Sequence, residues 1–227
     1  MPHSVRHHLR IEVDAYDRTI RRFIPGYETM LAVAADAVAT VSPALVLDLG
    51  AGTGALSEAL LERPAIGAVE LIDVDPEMLE LAAARVARFG ARAWLRGASY
   101  EEPLPACDAV AASLSLHHLP TLERKAAVFG RVFEALRPGG LFVNADATMP
   151  LDASGRAASF RHWADHLVAS GIEEDRAWRH FEEWAEEDTY LPLDDELAAL
   201  RSAGFDAACV WRDGPICVVV AEKGSRG

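Results

Sequence analysis

The fold of this chain is decided by one stretch, Val46-Leu47-Asp48-Leu49-Gly50-Ala51-Gly52-Thr53-Gly54. It begins as a short apolar run, typical of a strand buried on both faces, and ends in three glycines at alternate positions. Glycines let the backbone turn sharply and approach a ligand closely. A helix predicted from Ala55 would direct its free N–H groups and its positive dipole end at that ligand. The stretch therefore predicts a strand, a binding loop and a helix.

The alternation of strand and helix continues along the chain. Apolar runs alternate with helical stretches, and glycine or proline separates them, which predicts a parallel sheet with helices on both faces. We expect helices at Ile11–Phe23, Tyr27–Val41, Ala55–Glu62, Pro76–Phe89, Leu122–Leu136 and Leu193–Ser202, strands at Ala44–Leu49, Ala68–Ile72, Arg92–Arg96, Ala109–Ser113 and Leu141–Ala145, and a hairpin of Phe205–Arg212 and Pro215–Ala221. The predicted fold class is α/β, with a Rossmann-like, doubly wound, mostly parallel seven-stranded sheet that ends in an antiparallel C-terminal hairpin.

We expect one domain over residues 1–227, in four parts. These are a helical arm (1–41), a ligand-binding core (42–150), a helical lid after strand five (151–190), and a final helix with the hairpin (191–227). The lid is rich in tryptophan and histidine and breaks the strand–helix alternation. We expect it to have fewer core contacts than the sheet, as active-site covers do.

The composition is that of a globular protein, with 227 residues, 51% hydrophobic and 25% charged. Its formal charge of −13 repels phosphates, so we expect no nucleic-acid partner and no anionic membrane surface. Met1–Arg10 lacks the apolar core of a signal peptide, and no stretch reaches the roughly 18 apolar residues of a membrane span. We expect a cytoplasmic protein with no membrane association, as a monomer or a homodimer.

The three cysteines are too scattered for a disulfide framework or a zinc cluster. Cys209 and Cys217 flank a predicted two-residue turn at Asp213-Gly214. In that register the two thiols point to opposite faces of the sheet, so we expect no bridge between them.

The glycine loop alone leaves two cofactor classes open. Gly50-x-Gly52-x-x-Ala55 also fits the looser dinucleotide fingerprint, with Asp73 as its acidic residue. The carboxylate of Asp48, just before the loop, decides between them. It suits a ligand that carries an ammonium or sulfonium group, and it would repel a pyrophosphate.

Along Asp48-Leu49-Gly50-Ala51-Gly52-Thr53-Gly54 the chain resembles the class I S-adenosylmethionine (SAM) dependent methyltransferases, and the likeness extends from about Tyr27 to Phe205. The resemblance implies that the loop wraps the methionine part of SAM and that Asp73 accepts both ribose hydroxyls. Many relatives have Gly-Asp after strand three, where this chain has Gly97-Ala98-Ser99. The cofactor-binding residues implied in this way are Tyr27, Asp48, Gly50, Gly52, Gly54, Asp73, Val74, Met78, Ser99 and Ser113.

Tyr27 belongs to a second, narrower resemblance. Pro25-Gly26-Tyr27 is similar to a motif of the carboxy-SAM synthases, which implies a tyrosine at the carboxylate of the cofactor. The alternative is an aromatic residue in the core at a helix start. These synthases also place an arginine in the helix before the last strands, where this chain has Ala199. We therefore favour an ordinary methyl donor.

The acceptor is expected at the carboxyl ends of the strands, where sheets of this kind bind ligands. His117 and His118 follow strand four there, and either could take a proton from the attacking atom. The alternative is that one caps a helix and the other packs. Asp146, at the end of strand five, could hold a cationic acceptor, act as a base or cap a helix. No third ligand with metal-binding spacing is visible, so we expect no metal.

Two further segments could contribute to the acceptor site. Tyr16 and Asp17 lie in the part of the arm that closes over the cofactor in similar enzymes, and Arg161 and His162 are the preferred polar contacts of the lid. The acidic stretch 173–196 holds eleven carboxylates against two arginines, which indicates a solvated surface or attraction of a cationic substrate.

The resemblance implies an enzyme that transfers the methyl group of SAM to a small-molecule acceptor by in-line displacement. Aligning the reacting atoms would be the main contribution of the protein. Three alternatives remain at this point: a carboxy-SAM synthase-like enzyme, a catalytically silent SAM-binding protein and an NAD-dependent oxidoreductase.

Overall fold

A computed structural model describes residues 16–224 of the chain. Seven strands form one sheet in the order β3-β2-β1-β4-β5-β7-β6. Strands β1 to β5 run parallel to one another, and β7 pairs antiparallel with both β5 and β6. The strands are β1 (Leu45–Leu49), β2 (Ala68–Asp73), β3 (Ala93–Gly97), β4 (Cys107–Ser113), β5 (Leu136–Ala147), β6 (Asp206–Asp213) and β7 (Ile216–Glu222). The predicted fold class is confirmed.

Helices cover both faces of this sheet. They are α1 (Tyr16–Phe23), α2 (Tyr27–Ala39), α3 (Ala55–Leu61), α4 (Pro76–Val86), α5 (Leu122–Ala135), α6 (Ala153–Ala169), α7 (Glu174–Trp184) and α8 (Leu193–Ser202), with short 3-10 turns at Ala87–Arg92 and Leu116–His118. Successive strand residues face opposite sides, so Val46 and Leu47 of β1 belong to different hydrophobic clusters. This explains why the central strands are apolar throughout.

The helix α4 begins as its sequence predicts. Pro76 occupies the first turn, where a missing N–H costs nothing, and the Asp75 side chain accepts hydrogen bonds from the backbone N–H groups of Glu77 and Met78. Asp75 rather than Asp73 is therefore the N-cap, which leaves Asp73 available at the end of β2.

The C-terminal hairpin differs from its prediction. Asp213 pairs with Ile216, so the turn is Gly214-Pro215, and a bulge interrupts β6 between Cys209 and Trp211. One extra residue at a bulge shifts the following side chains by one position. Cys209 and Cys217 consequently lie on the same face and their thiols interact, so the prediction of opposite faces was wrong. Both cysteines are free thiols.

The lid is anchored in the hydrophobic core by its aromatic side chains. The aromatic side chains of Trp163, Phe181 and Trp184 are buried in the same hydrophobic cluster as Met30 of α2. The indole Nε1 of Trp163 donates a hydrogen bond to the carbonyl oxygen of Phe23 at 2.6 Å. The aromatic pairs of α6 and α7 therefore pack on the hydrophobic core.

None of the helices among residues 16–224 has the length and apolar character needed to cross a membrane.

Candidate active site

The glycine loop joins β1 to α3 by a sharp turn. Gly50 has φ +68°, and its N–H donates to the carbonyl oxygen of Ile72 in β2 at 2.8 Å. A Cβ atom at position 50 would stand 2.5 Å from Cβ of Ser115, which leaves room for no side chain. At Gly52, with φ +53°, a Cβ would meet nothing within 4 Å. The loop is therefore tight on its protein side and open on its other side.

Two carboxylates stand beside this loop. Asp73 Oδ2 accepts from the Gly52 N–H at 2.8 Å, and its Oδ1 accepts from the Asp75 N–H at 2.9 Å. Asp48 is buried and accepts from the Ser57 hydroxyl at 2.6 Å. Burial raises the pKa of Asp73, although its backbone hydrogen bonds oppose the shift. Burial likewise raises the pKa of Asp48 to about 7, against the opposing Ser57 bond.

The two carboxylates and the glycine loop fit SAM as the ligand. A cationic group of a ligand would stabilise the ionised form of the buried Asp48, because a nearby positive charge favours a carboxylate. An ammonium supplies that charge and a pyrophosphate does not. The open side of Gly52 leaves space for the ligand next to Asp73.

A pocket that is partly open to solvent lies at this edge of the sheet. Of the sequence-predicted residues it brings together Tyr27, Asp48, Gly50, Gly52, Asp73, Val74, Ser113 and His118.

Three predicted cofactor residues do not line this pocket. Gly54 is the N-cap of α3 and packs on Ala82. Met78 is fully buried on the inner face of α4. Ser99 uses its hydroxyl to accept from the Glu101 N–H at 3.1 Å, so it stabilises a turn instead of facing the ligand.

Tyr100, the next residue, lines the pocket and was missed. Its hydroxyl donates to the carbonyl oxygen of Ser115 at 3.2 Å, and burial raises its pKa. Ser115, which also lines the pocket, donates to the carbonyl oxygen of Leu49 at 2.8 Å. The aromatic residue just after strand three was the available signal. The direction of the Tyr100 side chain depends on the turn around Ser99, which the sequence pattern did not specify.

The arm closes over the loop through Asp17. Its Oδ1 accepts from the Thr53 hydroxyl at 2.7 Å, and its Oδ2 forms an ion pair with Arg85 of α4. Tyr16 is the first residue of α1, and its side chain lies outside the described part of the chain.

Both predicted histidines lie beyond this loop at the end of β4. Leu114 has φ +50°, unusual for a residue with a branched side chain, and a 3-10 turn follows it. The irregular backbone lets two adjacent side chains approach one group. His117 Nε2 lies 3.6 Å and His118 Nδ1 lies 3.1 Å from Oδ1 of Asp188.

His117 is held from its other side by β5. Its Nδ1 donates to Oδ1 of Asp146 at 2.6 Å. Burial disfavours the imidazolium of His117, but the carboxylates of Asp146 and Asp188 outweigh burial and hold its pKa above the ordinary value. Burial also opposes ionisation of Asp146, yet His117 holds the pKa of Asp146 below its ordinary value.

Sequence reasoning missed Asp188, which it counted within a solvated acidic stretch. Thr189 ties this segment to the site, because its N–H donates to the carbonyl oxygen of His117 at 2.8 Å. The Tyr190 hydroxyl donates to Asp188 Oδ2 at 2.6 Å. No local pattern distinguishes Asp188 from the exposed acidic residues before it.

The two preferred polar residues of the lid lie elsewhere. Arg161 pairs with Glu174 at 2.9 Å and covers the ring of Trp178, while His162 pairs with Asp213 at 2.8 Å. Both side chains are about half exposed and neither lines the pocket. Arg161 therefore has no place among the residues that we propose for the acceptor.

This sheet order, with a glycine loop after β1 and carboxylates at the ends of β1 and β2, defines a class I SAM-dependent methyltransferase. A family model described as a methyltransferase domain matches residues 47–142. An uncharacterized methyltransferase of Geobacillus kaustophilus is 31% identical over 218 residues, covering 93% of this chain and 90% of the relative. The chain belongs to this methyltransferase family, and its cofactor is SAM.

Two further comparisons are consistent with this membership. A carboxy-S-adenosyl-L-methionine synthase of Aeromonas hydrophila is 26% identical over 218 residues, with 88% of this chain and 82% of the synthase covered. The solved structure of an O-methyltransferase family protein from Burkholderia thailandensis has a TM-score of 0.69 at 16% identity. That alignment covers 95% of this chain and 60% of the other, so this likeness concerns the fold over part of a longer protein.

Proposed function

We propose that this methyltransferase acts on a small-molecule acceptor that binds beside His118. The observation that carries this proposal is the buried histidine–carboxylate cluster that adjoins the pocket through His118, formed by His117, His118, Asp146 and Asp188. Tyr190 of the lid packs against His117, with ring centroids 5.9 Å apart. Such an enclosed polar end suits a small ligand, and the net charge of −13 disfavours polyanionic acceptors.

Each pocket residue has a proposed role toward the cofactor. Asp48 would hold the ammonium, Asp73 the ribose hydroxyls, and the open face of Gly52 the methionine backbone. Val74 and Tyr100 would contact the adenine in place of the Gly-Asp pair of many relatives. SAM supplies a methyl group made electrophilic by the sulfonium. The chain aligns the acceptor with that group, and the histidine–carboxylate cluster is where the acceptor would lose a proton.

A second candidate is carboxy-SAM chemistry. Tyr27 lines the pocket, as the Pro-Gly-Tyr resemblance implies, and one relative is named as a carboxy-SAM synthase. Among the described residues that line this pocket, none is arginine or lysine, which would be needed to hold an extra carboxylate. The ordinary methyl donor is therefore preferred.

The test uses the full chain, SAM labelled on its methyl group and a cell extract separated by ultrafiltration. The proposal expects S-adenosylhomocysteine release, with label entering the low-molecular-weight fraction. Label in protein or RNA would contradict a small acceptor, and no release above background would indicate a silent SAM-binding protein. Mass spectrometry of the co-purified nucleoside distinguishes SAM from carboxy-SAM.

Cofactor binding has its own control. SAM should raise the melting temperature, because a ligand bound only by the folded state stabilises it, whereas NADH should not. Asp73→Asn should lose most of the shift, and Asp36→Asn, on the exposed side of α2, should keep it.

A further inference from the structure

Beside the pocket, three side chains that could bind a metal ion lie close together. We propose that His117, His118 and Asp188 bind one divalent transition-metal ion of the zinc and iron(II) class. One ligand atom from each residue lies within 4.8 Å of the others. The two separations to Asp188 Oδ1 are 3.1 Å from His118 Nδ1 and 3.6 Å from His117 Nε2. A tetrahedral ion with bonds of about 2.0 Å places its ligands roughly 3.3 Å apart, between these two values.

The neighbours of the ligands orient them for an ion. His117 donates its Nδ1–H to Asp146, which leaves the lone pair of Nε2 directed at the cluster. Tyr190 donates to Oδ2 of Asp188, and Oδ1 of Asp188 faces both histidines. A histidine ligand held by a carboxylate through its other nitrogen is a common feature of metal sites. Two of the three ligands thus have a hydrogen-bond partner outside the ligand set, as ligands in metal sites usually do.

The charge balance of the cluster also favours a cation. Asp146 and Asp188 bring two carboxylates into a site where the side chains of His117 and Asp188 are 9% and 5% exposed. The nearby buried Lys125 is already paired with Glu196 at 2.6 Å. A divalent ion would neutralise both carboxylates and fix the histidines as neutral ligands. The competing occupant is a proton, which would make His117 an imidazolium between the carboxylates.

Sequence spacing predicted no metal, because two adjacent histidines offer only two ligands and the third comes from the lid. Three protein ligands leave a coordination position open, as in catalytic zinc sites. His118 is shared between this cluster and the pocket. An acceptor N–H, O–H or S–H bound to the ion through its heteroatom would release its proton to solvent more readily. That consequence rests on the proposed function, whereas ion binding itself does not.

The experiment measures Zn²⁺ binding by calorimetry after chelator treatment of the full chain. His3, His7 and His8 are replaced by alanine beforehand, because these histidines could bind ions themselves. We expect one ion per chain, and affinity at least about 100-fold weaker in Asp188→Asn and His118→Ala. Asp146→Asn, which changes only the outer partner, should weaken binding about 10–100-fold. His162→Ala removes an exposed histidine outside the cluster and should bind like the parent.

Two further readouts keep the outcome decisive. Co²⁺ should give the visible absorption of a tetrahedral N/O site without thiolate charge-transfer bands, which would instead indicate Cys209 and Cys217. The melting shift caused by SAM should persist in Asp188→Asn, which separates loss of the ion from loss of the fold. Absence of stoichiometric binding in the parent, or equal affinity in parent and Asp188→Asn, overturns the proposal whatever the acceptor is.

Discussion

Nδ1 of His117 lies 2.6 Å from Oδ1 of Asp146, a residue 29 positions later in the chain. The contact joins the 3-10 turn after β4 to the end of β5, and both side chains are buried. Parallel neighbouring strands place their carboxyl ends at one edge, which brings the two residues together. The ion pair therefore follows from the sheet order, and it fixes the direction of His117 toward the lid.

Asp146→Asn tests the strength of this pair. The pKa of His117 should fall toward its ordinary value, and the free energy of unfolding should decrease by about 1.5–3 kcal/mol, the usual worth of a hydrogen bond to a charged group. The loss of stability should be largest at pH values between the pKa of Asp146 and the pKa of His117. It should fade as pH falls through the lowered pKa of Asp146 and as pH rises through the raised pKa of His117.

Denaturant unfolding across pH and NMR titration of the imidazole measure both effects. Asp165→Asn, on the exposed face of α6, is the control and should change neither. An unchanged His117 pKa in Asp146→Asn would contradict a role of Asp146 in raising it.

SAM affinity should depend on pH through Asp48. Burial raises the pKa of this carboxyl to about 7, so below neutral pH it must lose a proton before it pairs with the ammonium. Affinity should therefore increase by up to about tenfold per pH unit as pH approaches 7, and then level off. In the absence of ligand, the raised pKa of Asp48 makes the stability of the fold decrease, rather than increase, as pH rises. The contribution of Asp48 to stability is greatest below its unfolded pKa and is lost as pH rises toward 7.

Calorimetry in buffers of different ionisation enthalpy detects the released proton directly. Asp48→Asn should bind SAM more weakly and with little dependence on pH between about pH 6 and pH 8. The assignment of Asp48 to the ammonium would be refuted by a wild-type affinity that does not vary with pH.

Gly50→Ala and Gly90→Ala separate backbone strain from steric exclusion. Both positions have positive φ, +68° and +57°, so the backbone strains an alanine at each of them. Only at position 50 does the new Cβ collide, at 2.5 Å from Ser115 Cβ, whereas Gly90 faces open space. Gly50→Ala should consequently be less stable than Gly90→Ala and lose at least about tenfold in SAM affinity. Equal stability of the two variants would contradict the tight approach of the loop to Ser115.

Trp163→Ala tests whether the lid belongs to the core. Trp163 is 2% exposed, and its replacement should lower the free energy of unfolding by about 3–5 kcal/mol. Trp94→Ala, at a tryptophan that is 40% exposed, should cost less than about 0.5 kcal/mol. Chemical denaturation compares them. A lid that opens independently would leave global unfolding in Trp163→Ala unchanged.

The sequence by itself determined the fold class and the edge of the sheet at which the cofactor binds. Apolar runs with short connections specify buried parallel strands, and the carboxyl ends of such strands meet at one edge of the sheet. The sequence alone could therefore bring Asp48, Gly50, Asp73 and Ser113 together. The strand–loop–helix pattern of residues 46–54 depends on the backbone preferences of neighbouring residues. A short stretch of sequence is therefore enough to predict it.

Only the tertiary structure decided what depends on packing between distant segments. Asp188 reaches His118 because the lid is fixed by Trp163 in the core and by the Thr189 N–H on His117, and nothing near Asp188 in sequence encodes either contact. The bulge that puts Cys209 on the same face as Cys217 has no distinct residue pattern. In both cases side-chain position is set by long-range burial and register, where a shift of one residue reverses the face that a side chain occupies.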